Sequence, residues 1–295
     1  MSTTTTTTET SPTRARAPLA PGRPPPFQEV KALLFDVFGT AVDWRTTVES
    51  ELAARAREKK IQINSTGESE DEFWAAFAQQ WHDSYGAFTR SFEPGRTPWK
   101  DVDAHLRDSL AALLAARPCL SGAYADDAEE VRELSRVWHR LRPWADAREG
   151  LRRLGSPEGG FVTATLSNGN RDLLRDLNDG PPQEGGGEGG LGFQRLLSAE
   201  DFGAYKPHPS TYLGAAAALG DLEPRQVAMV AAHLGDLAAA RACGLRTIYV
   251  ERPRREEAWG PEEERYKEAR EWVDMWVGEG EGGFIEVARR LGIPE

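Results

Sequence analysis

The chain has 295 residues, 39% hydrophobic and 28% charged, which suffices for one large packed domain or a core carrying an inserted subdomain. Its formal net charge of −11 argues against nucleic acid or an anionic membrane as a partner, since either calls for a basic face. The two cysteines, Cys119 and Cys243, stand far apart and make neither a disulfide framework nor a metal-ligand cluster, so both are expected as buried thiols in a reducing, cytoplasmic compartment.

Residues 1–26 are Thr-rich over 3–8 and then Pro-rich, with Arg14, Arg16 and Arg23. Such a segment cannot bury enough apolar surface to fold and is expected as a disordered tail. It lacks the apolar core of a secretory signal, and Glu9 and the prolines spoil the amphipathic helix of a mitochondrial presequence. No apolar stretch approaches the length of a membrane span.

The first structural signal is Ala32-Leu-Leu-Phe35, a short apolar strand that delivers Asp36 into a turn with Gly39 and Thr40. A helical pattern follows. Trp44, Val48 and Leu52 recur at i, i+4 and i+8, and after a polar break over 64–70 the aromatic stripe Phe73, Trp74, Phe77, Trp81, Tyr85 and Phe88 continues it. Further helices over about 102–116 and 128–141 make 45–143 a block of four helices without a convincing strand. Strand patterns return at 161–166, 227–232 and 245–250, with helices at 171–177, 212–219 and 237–243 between them. Residues 273–277 read as a last strand, 284–291 as a last helix, and the Gly/Pro/Glu stretch 179–192 as a mobile surface loop. Strands alternating with helices imply βαβ units. The expected fold is therefore α/β: a Rossmann-like parallel-sheet core from 27–44 and 144–295, with 45–143 inserted as a helical cap.

In open parallel sheets, ligands bind outside the carboxyl ends of the strands. Asp36 and Thr40 follow the first strand, and Ser167 and Asn168 the second. Lys206 lies in Ala204-Tyr-Lys-Pro-His-Pro209, while His233 and Asp236 follow a later strand, so one crevice can collect them all. A lone Asp after a strand is often only a helix cap, and Ser167-Asn168 suits the helix starting near 171. The ordered set gives Asp36 its weight as a covalent nucleophile.

The combination Phe35-Asp-Val-Phe-Gly-Thr40, Leu166-Ser-Asn-Gly169, Tyr205-Lys-Pro207 and the Asp236 loop resembles the haloacid dehalogenase (HAD-like) superfamily. The nearest likeness is to its L-2-haloacid dehalogenases, over roughly residues 30–292. That resemblance implies Asp36 as nucleophile, Thr40 and Ser167 as hydrogen-bond donors around it and the substrate carboxylate, with Asn168 beside them. Lys206 is the cation that keeps Asp36 ionised, Tyr212 an active-site tyrosine, and Asp236 the carboxylate that positions the hydrolytic water. Phosphatases of the superfamily carry a second Asp two residues after the nucleophile, as general acid next to Mg²⁺. Here that residue is Phe38, which neither transfers a proton nor holds a metal, and a departing halide needs no protonation.

The expected activity is metal-independent hydrolysis of short 2-haloacids to 2-hydroxy acids through an aspartyl ester. Neither metal nor cofactor is expected, the partner is a small carboxylate, and a homodimer is left open. A Mg²⁺-dependent phosphatase, a hydrolase of another activated carboxylate and a silent relative are the alternatives. Three positions depart from the dehalogenase pattern: His82 follows Trp81 where the halide-capturing arginine stands, Ala231 replaces a serine, and His233 an asparagine. Candidates to replace that arginine are protonated His82 and, from the cap, Arg90 or Arg96, although His82 by itself reads first as a polar cap residue without a role. His233 is a candidate general base for ester hydrolysis, with Glu49 as a guess for the group that orients it.

Overall fold

The computed structural model describes residues 24–63, 69–124, 127–180, 189–254 and 256–294. Most of the expected disordered tail, the polar break near 64–68 and the centre of the 179–192 loop lie outside them. In chain order the elements are β1 (Ala32–Phe35), β2 (Val42–Asp43), then the helices α1 (Trp44–Glu58), α2 (Glu70–Ser91), α3 (Val102–Ala115), α4 (Pro118–Tyr124) and α5 (Ala128–Ser135). Next come β3 (Arg142–Pro143), α6 (Ala147–Leu154), β4 (Val162–Thr165), α7 (Arg171–Asp179), α8 (Pro209–Ala218) and β5 (Val227–Ala231). The chain ends with α9 (Leu234–Ala242), β6 (Arg246–Val250), α10 (Glu264–Trp272), β7 (Met275–Val277) and α11 (Gly283–Arg290).

The sheet is parallel with order β4-β1-β5-β6-β7, and Ala32 pairs with Val162 on one side and Val227 on the other. All four residues of β1 are buried, because side chains alternate between two covered faces. Leu33 and Phe35 pack with Leu151, Leu173, Phe284 and Val287 from α6, α7 and α11. Leu34 faces the opposite layer, with Tyr212, Leu237 and Ala269 from α8, α9 and α10. After β1 the chain goes to β4 on one side and then to β5 on the other. The carboxyl end of β1 is thus the topological switch point, and Asp36 stands there.

The cap helices α1 to α5 pack around Trp74, Phe77, Trp81, Leu106, Leu110 and Trp138. They leave and rejoin the core through the antiparallel pair β2–β3, where Val42 faces Pro143. The expected helix over 128–141 ends at Ser135 and tightens into a 3-10 turn over Arg136–Arg140. Leu141 is already extended, because the chain must turn back so that Arg142 and Pro143 pair with β2. Helices α4 and α6 were not expected; both are eight residues or shorter and show too little period to read. Helix α10 begins at the acidic run 262–264, which reads as a solvated helix start. Cys119 and Cys243 are half-buried free thiols, not the fully buried ones expected, since each lies near the end of a surface helix.

His139, only 7% exposed, links cap to core. Its Nδ1 lies 2.7 Å from Asp176 of α7 and its Nε2 3.0 Å from Asp103 of α3, while Asn170 also donates to Asp103 at 2.8 Å. Two carboxylate partners require protons on both ring nitrogens. Burial alone would lower the His139 pKa, but the two aspartates outweigh it and raise it. A folded-state pKa above the unfolded one stabilises fully below the unfolded value, near 6.5, and that stability is lost as pH rises through the folded value. The Tm of the protein should therefore fall from mildly acidic towards alkaline pH by more than that of His139→Asn. Parallel curves for the two proteins would show that the clamp contributes nothing.

Candidate active site

Asp36 leaves β1 into a turn that the rest of the fold holds rigid. Gly39 has φ +77°, and a Cβ there would fall 2.0 Å from Glu256 Oε1, so the turn admits only glycine. Trp144 Nε1 donates to the Gly39 carbonyl at 2.9 Å, and Arg252 Nε donates to the Thr40 carbonyl at 2.9 Å. Arg252 is itself fixed by both Asp146 oxygens, at 2.6 and 2.9 Å. A nucleophile mounted this way needs little reorganisation before attack.

The two Asp36 oxygens differ. Oδ2 accepts from Thr40 Oγ1 at 2.7 Å and contacts His233 Nδ1 at 3.0 Å. Thr40 Oγ1 is oriented by the Ala232 N–H, which donates to it at 2.9 Å. Among the described residues Oδ1 meets only Lys206 Nζ, at 2.8 Å, so it keeps a lone pair to share with an electrophile. Burial would raise the Asp36 pKa, but Lys206 and His233 reverse this and hold the carboxyl well below the usual carboxylate range.

Lys206, 8% exposed, bridges to Asp236 Oδ2 at 2.6 Å. Burial works against its charge, yet Asp236 and Asp36 together raise its pKa. Asn168 brackets its backbone, accepting from the Lys206 N–H at 2.7 Å and donating to its carbonyl at 3.2 Å. Tyr212 is fully buried and donates to Asp236 Oδ1 at 2.6 Å, so it positions that carboxylate. Ser167, also buried, accepts the Gly169 N–H at 3.1 Å. The Phe38 ring reaches Gly169 next to Ser167 Oγ and meets Tyr85 and Trp138 edge-on at 5.8 and 5.6 Å.

The expected residues Asp36, Thr40, Ser167, Asn168, Lys206, Tyr212, His233 and Asp236 thus gather around one crevice, with Phe38 as its apolar wall. His82 stands on the cap side with its ring flat on Trp44, centroids 4.2 Å apart, and burial pushes its pKa down to about 4. That leaves it uncharged at neutral pH, so the candidate role of a protonated substitute for the arginine is not supported. Arg90 and Arg96 are exposed, and Arg96 pairs with Glu93 at 3.2 Å, so neither reaches the crevice. Glu49 pairs with Arg254 at 2.9 Å and does not orient His233.

That role falls to Glu256, which sequence reasoning missed. Its Oε1 lies 3.2 Å from His233 Nε2, and Trp44 Nε1 donates to both of its oxygens at 2.9 and 3.1 Å. Burial would raise the Glu256 pKa, but His233 and Trp44 lower it. In turn Asp36 and Glu256 outweigh the burial of His233 and hold its pKa well above the ordinary value. The free site therefore carries three carboxylates, a lysine and an imidazolium.

Residues 30–244 match the haloacid dehalogenase-like hydrolases. The chain belongs to that family. It is 31% identical to the L-2-haloacid dehalogenase PA0810, covering 89% of this chain and 99% of that one, with a TM-score of 0.67. It is 30% identical to the defluorinating L-2-haloacid dehalogenase Rha0230, covering 89% and 95%, with a TM-score of 0.70. It is also similar to (S)-2-haloacid dehalogenase 1 of Pseudomonas sp. (strain CBS-3), 32% identical over 117 residues. That stretch is 39% of this chain and spans 47% of the relative's length. No helix among the described residues of this haloacid dehalogenase-like hydrolase is long and apolar enough to cross a membrane.

Proposed function

We propose that the protein is a metal-independent dehalogenase of short 2-haloacids, working through an ester on Asp36. The observation that carries this reading is the Asp36 carboxylate, held ionised by Lys206, whose Oδ1 has Lys206 as its single partner among the described residues and keeps a lone pair, with a phenyl ring, Phe38, where a general acid would stand. Asp36 Oδ1 attacks C2 of the substrate, and the C2–halogen electron pair departs with the halide, inverting C2. Oδ2 then becomes the ester carbonyl, with Thr40 in place to donate to the oxyanion that forms when water attacks. Water attacks the Asp36 carboxyl carbon as His233 takes one of its protons. The tetrahedral intermediate then breaks the bond between that carbon and the ester oxygen, its remaining hydroxyl proton passes to the departing alkoxide, and the 2-hydroxy acid and the Asp36 carboxylate are released. Lys206 attracts the anionic substrate, and Ser167 and Asn168 stand where its carboxylate would lie. The chemistry named for PA0810 and Rha0230 supports the same assignment.

A Mg²⁺-dependent phosphatase reading lacks its donors here. Phe38 has no oxygen to offer, and both oxygens of Asp236 are taken, one by Lys206 and one by Tyr212. The test is incubation with L-2-chloropropionate in EDTA, followed by chloride and by the configuration of the 2-hydroxypropionate. Chloride should appear in step with the D-hydroxy acid. No chloride, together with Mg²⁺-dependent cleavage of a generic phosphate ester, would overturn the proposal. A cytoplasmic setting and a homodimer belong to the same proposal and are tested by fractionation and by light scattering.

A further inference from the structure

The turn from β4 into α7 carries Ser167 and Asn168, where the substrate carboxylate would lie, and the core holds its first three residues. Ser167 Oγ accepts from the Gly169 N–H at 3.1 Å, and the Ser167 carbonyl accepts from the Ala199 N–H at 2.8 Å. Asn168 is bracketed on the Lys206 backbone, and Ser198 Oγ donates to the Gly169 carbonyl at 2.7 Å.

Asn170 is held differently. It stands at the N-cap of α7, where an asparagine oxygen ordinarily accepts a backbone N–H of the first turn. Here the side chain makes no such bond, and Glu200 takes the Arg171 N–H instead, at 3.0 Å. The Asn170 Oδ1 is buried with no hydrogen-bond partner among the described residues, while Nδ2 donates to Asp103 Oδ2 of the cap at 2.8 Å. A carboxylate only accepts, so the amide end of the side chain is the one that faces it. The helix forgoes its own asparagine cap, and the side chain reaches across the seam between core and cap.

Asp103 is placed for that contact. It lies in the first turn of α3, where the helix N-terminus favours a carboxylate, and His139 Nε2 meets the same Oδ2 at 3.0 Å. The other nitrogen of His139 is anchored 2.7 Å from Asp176, in α7 itself. The cap therefore grips α7 twice, directly at Asn170 and further along at Asp176 through His139.

We infer that Asp103 is a positioning residue for the substrate carboxylate: through Asn170 it fixes the turn over 167–170 against the cap, with His139 holding it in place. The inference rests on the dehalogenase reading, which puts the substrate carboxylate at that turn. Without Asp103 the buried Asn170 amide loses its acceptor, and the turn loosens on its cap side while its core contacts remain. Substrate binding then weakens. Displacement at C2 does not, because it depends on Asp36 and Lys206.

The experiment compares the wild type with Asp103→Ala, Asn170→Ala and the double variant. It reads the KM for L-2-chloropropionate, the Ki of propionate (a carboxylate with no leaving group) and single-turnover halide release at saturating substrate. Each single variant should raise KM and Ki about 10–100-fold, the scale of one hydrogen bond to a charged group, with the single-turnover rate nearly unchanged. The double variant should lose no more than either single one, since two residues acting through one contact are not additive. Asp103→Asn, whose amide oxygen still accepts from Asn170, should recover part of the affinity. Asn170→Ala breaks the same contact without touching His139, so it decides the matter if Asp103→Ala does not fold. Unchanged constants, additive losses, or a loss carried by the single-turnover rate would overturn the inference. A wild type that binds propionate and releases no halide would remove the dehalogenase reading, while the propionate constants would still decide the role of Asp103.

Discussion

Asp36→Asn should abolish halide release, on the order of 10⁶-fold, the scale at which deleting a covalent nucleophile costs an enzyme. The substitution keeps the shape of the side chain, and its oxygen can still accept from Thr40 or Lys206, so the fold should survive. The lost quantity is the lone pair on an ionised Oδ1. The amide also reproduces the electrostatics of the ester: a neutral group of the same size where a carboxylate stood. His233 then keeps only Glu256 as an anionic partner, and its pKa should fall from its raised value in the free enzyme. Lys206 likewise keeps only Asp236. A halide electrode and an NMR titration of the His233 ring check the two halves separately. Turnover within tenfold of the wild type would refute Asp36 as nucleophile, and an unmoved His233 titration would show that Asp36 does not hold the imidazole charged.

Much of this site was legible because it lies at strand ends. A central strand buried on both faces reads as an uninterrupted apolar run, and Ala32-Leu-Leu-Phe35 ends on Asp36 with no ambiguity of register. Ser167, His233 and Asp236 follow β4 and β5 in the same way, and the parallel order makes their convergence a matter of topology. Glu256 was hidden for the opposite reason. It sits in irregular chain after β6, next to Glu257 and close to three arginines, where an acidic residue reads as a solvated surface. Its contact with Trp44 spans 212 residues. The available signal was its place beyond the carboxyl end of another sheet strand. The stacking of His82 on Trp44 was not legible, because it is a property of the packed cap. His139 lost its meaning inside an expected helix, since its two aspartates come from α3 and α7.

His233→Ala should separate the two chemical steps. In the free enzyme the imidazole is doubly protonated, donating to Asp36 Oδ2 from Nδ1 and to Glu256 from Nε2. Esterification removes the Asp36 charge while Glu256 stays, pinned by two hydrogen bonds from Trp44. The proton on Nε2 therefore keeps its partner and the one on Nδ1 loses its anion, so Nδ1 becomes the free base, directed at the carboxyl carbon that water must attack. General-base catalysis contributes typically about 10²–10⁴-fold, and ester hydrolysis in the alanine variant should slow by that much. The first halide should still appear as a stoichiometric burst, because attack by Oδ1 uses Lys206 and not the imidazole. Intact-protein mass spectrometry should then find the ester accumulated on the chain. The pH profile gives an independent mark. Wild-type hydrolysis should rise with pH as His233 in the ester state loses its proton, and that limb should be missing from the variant. Loss of the burst itself would place His233 in the attack step and return water activation to Asp236.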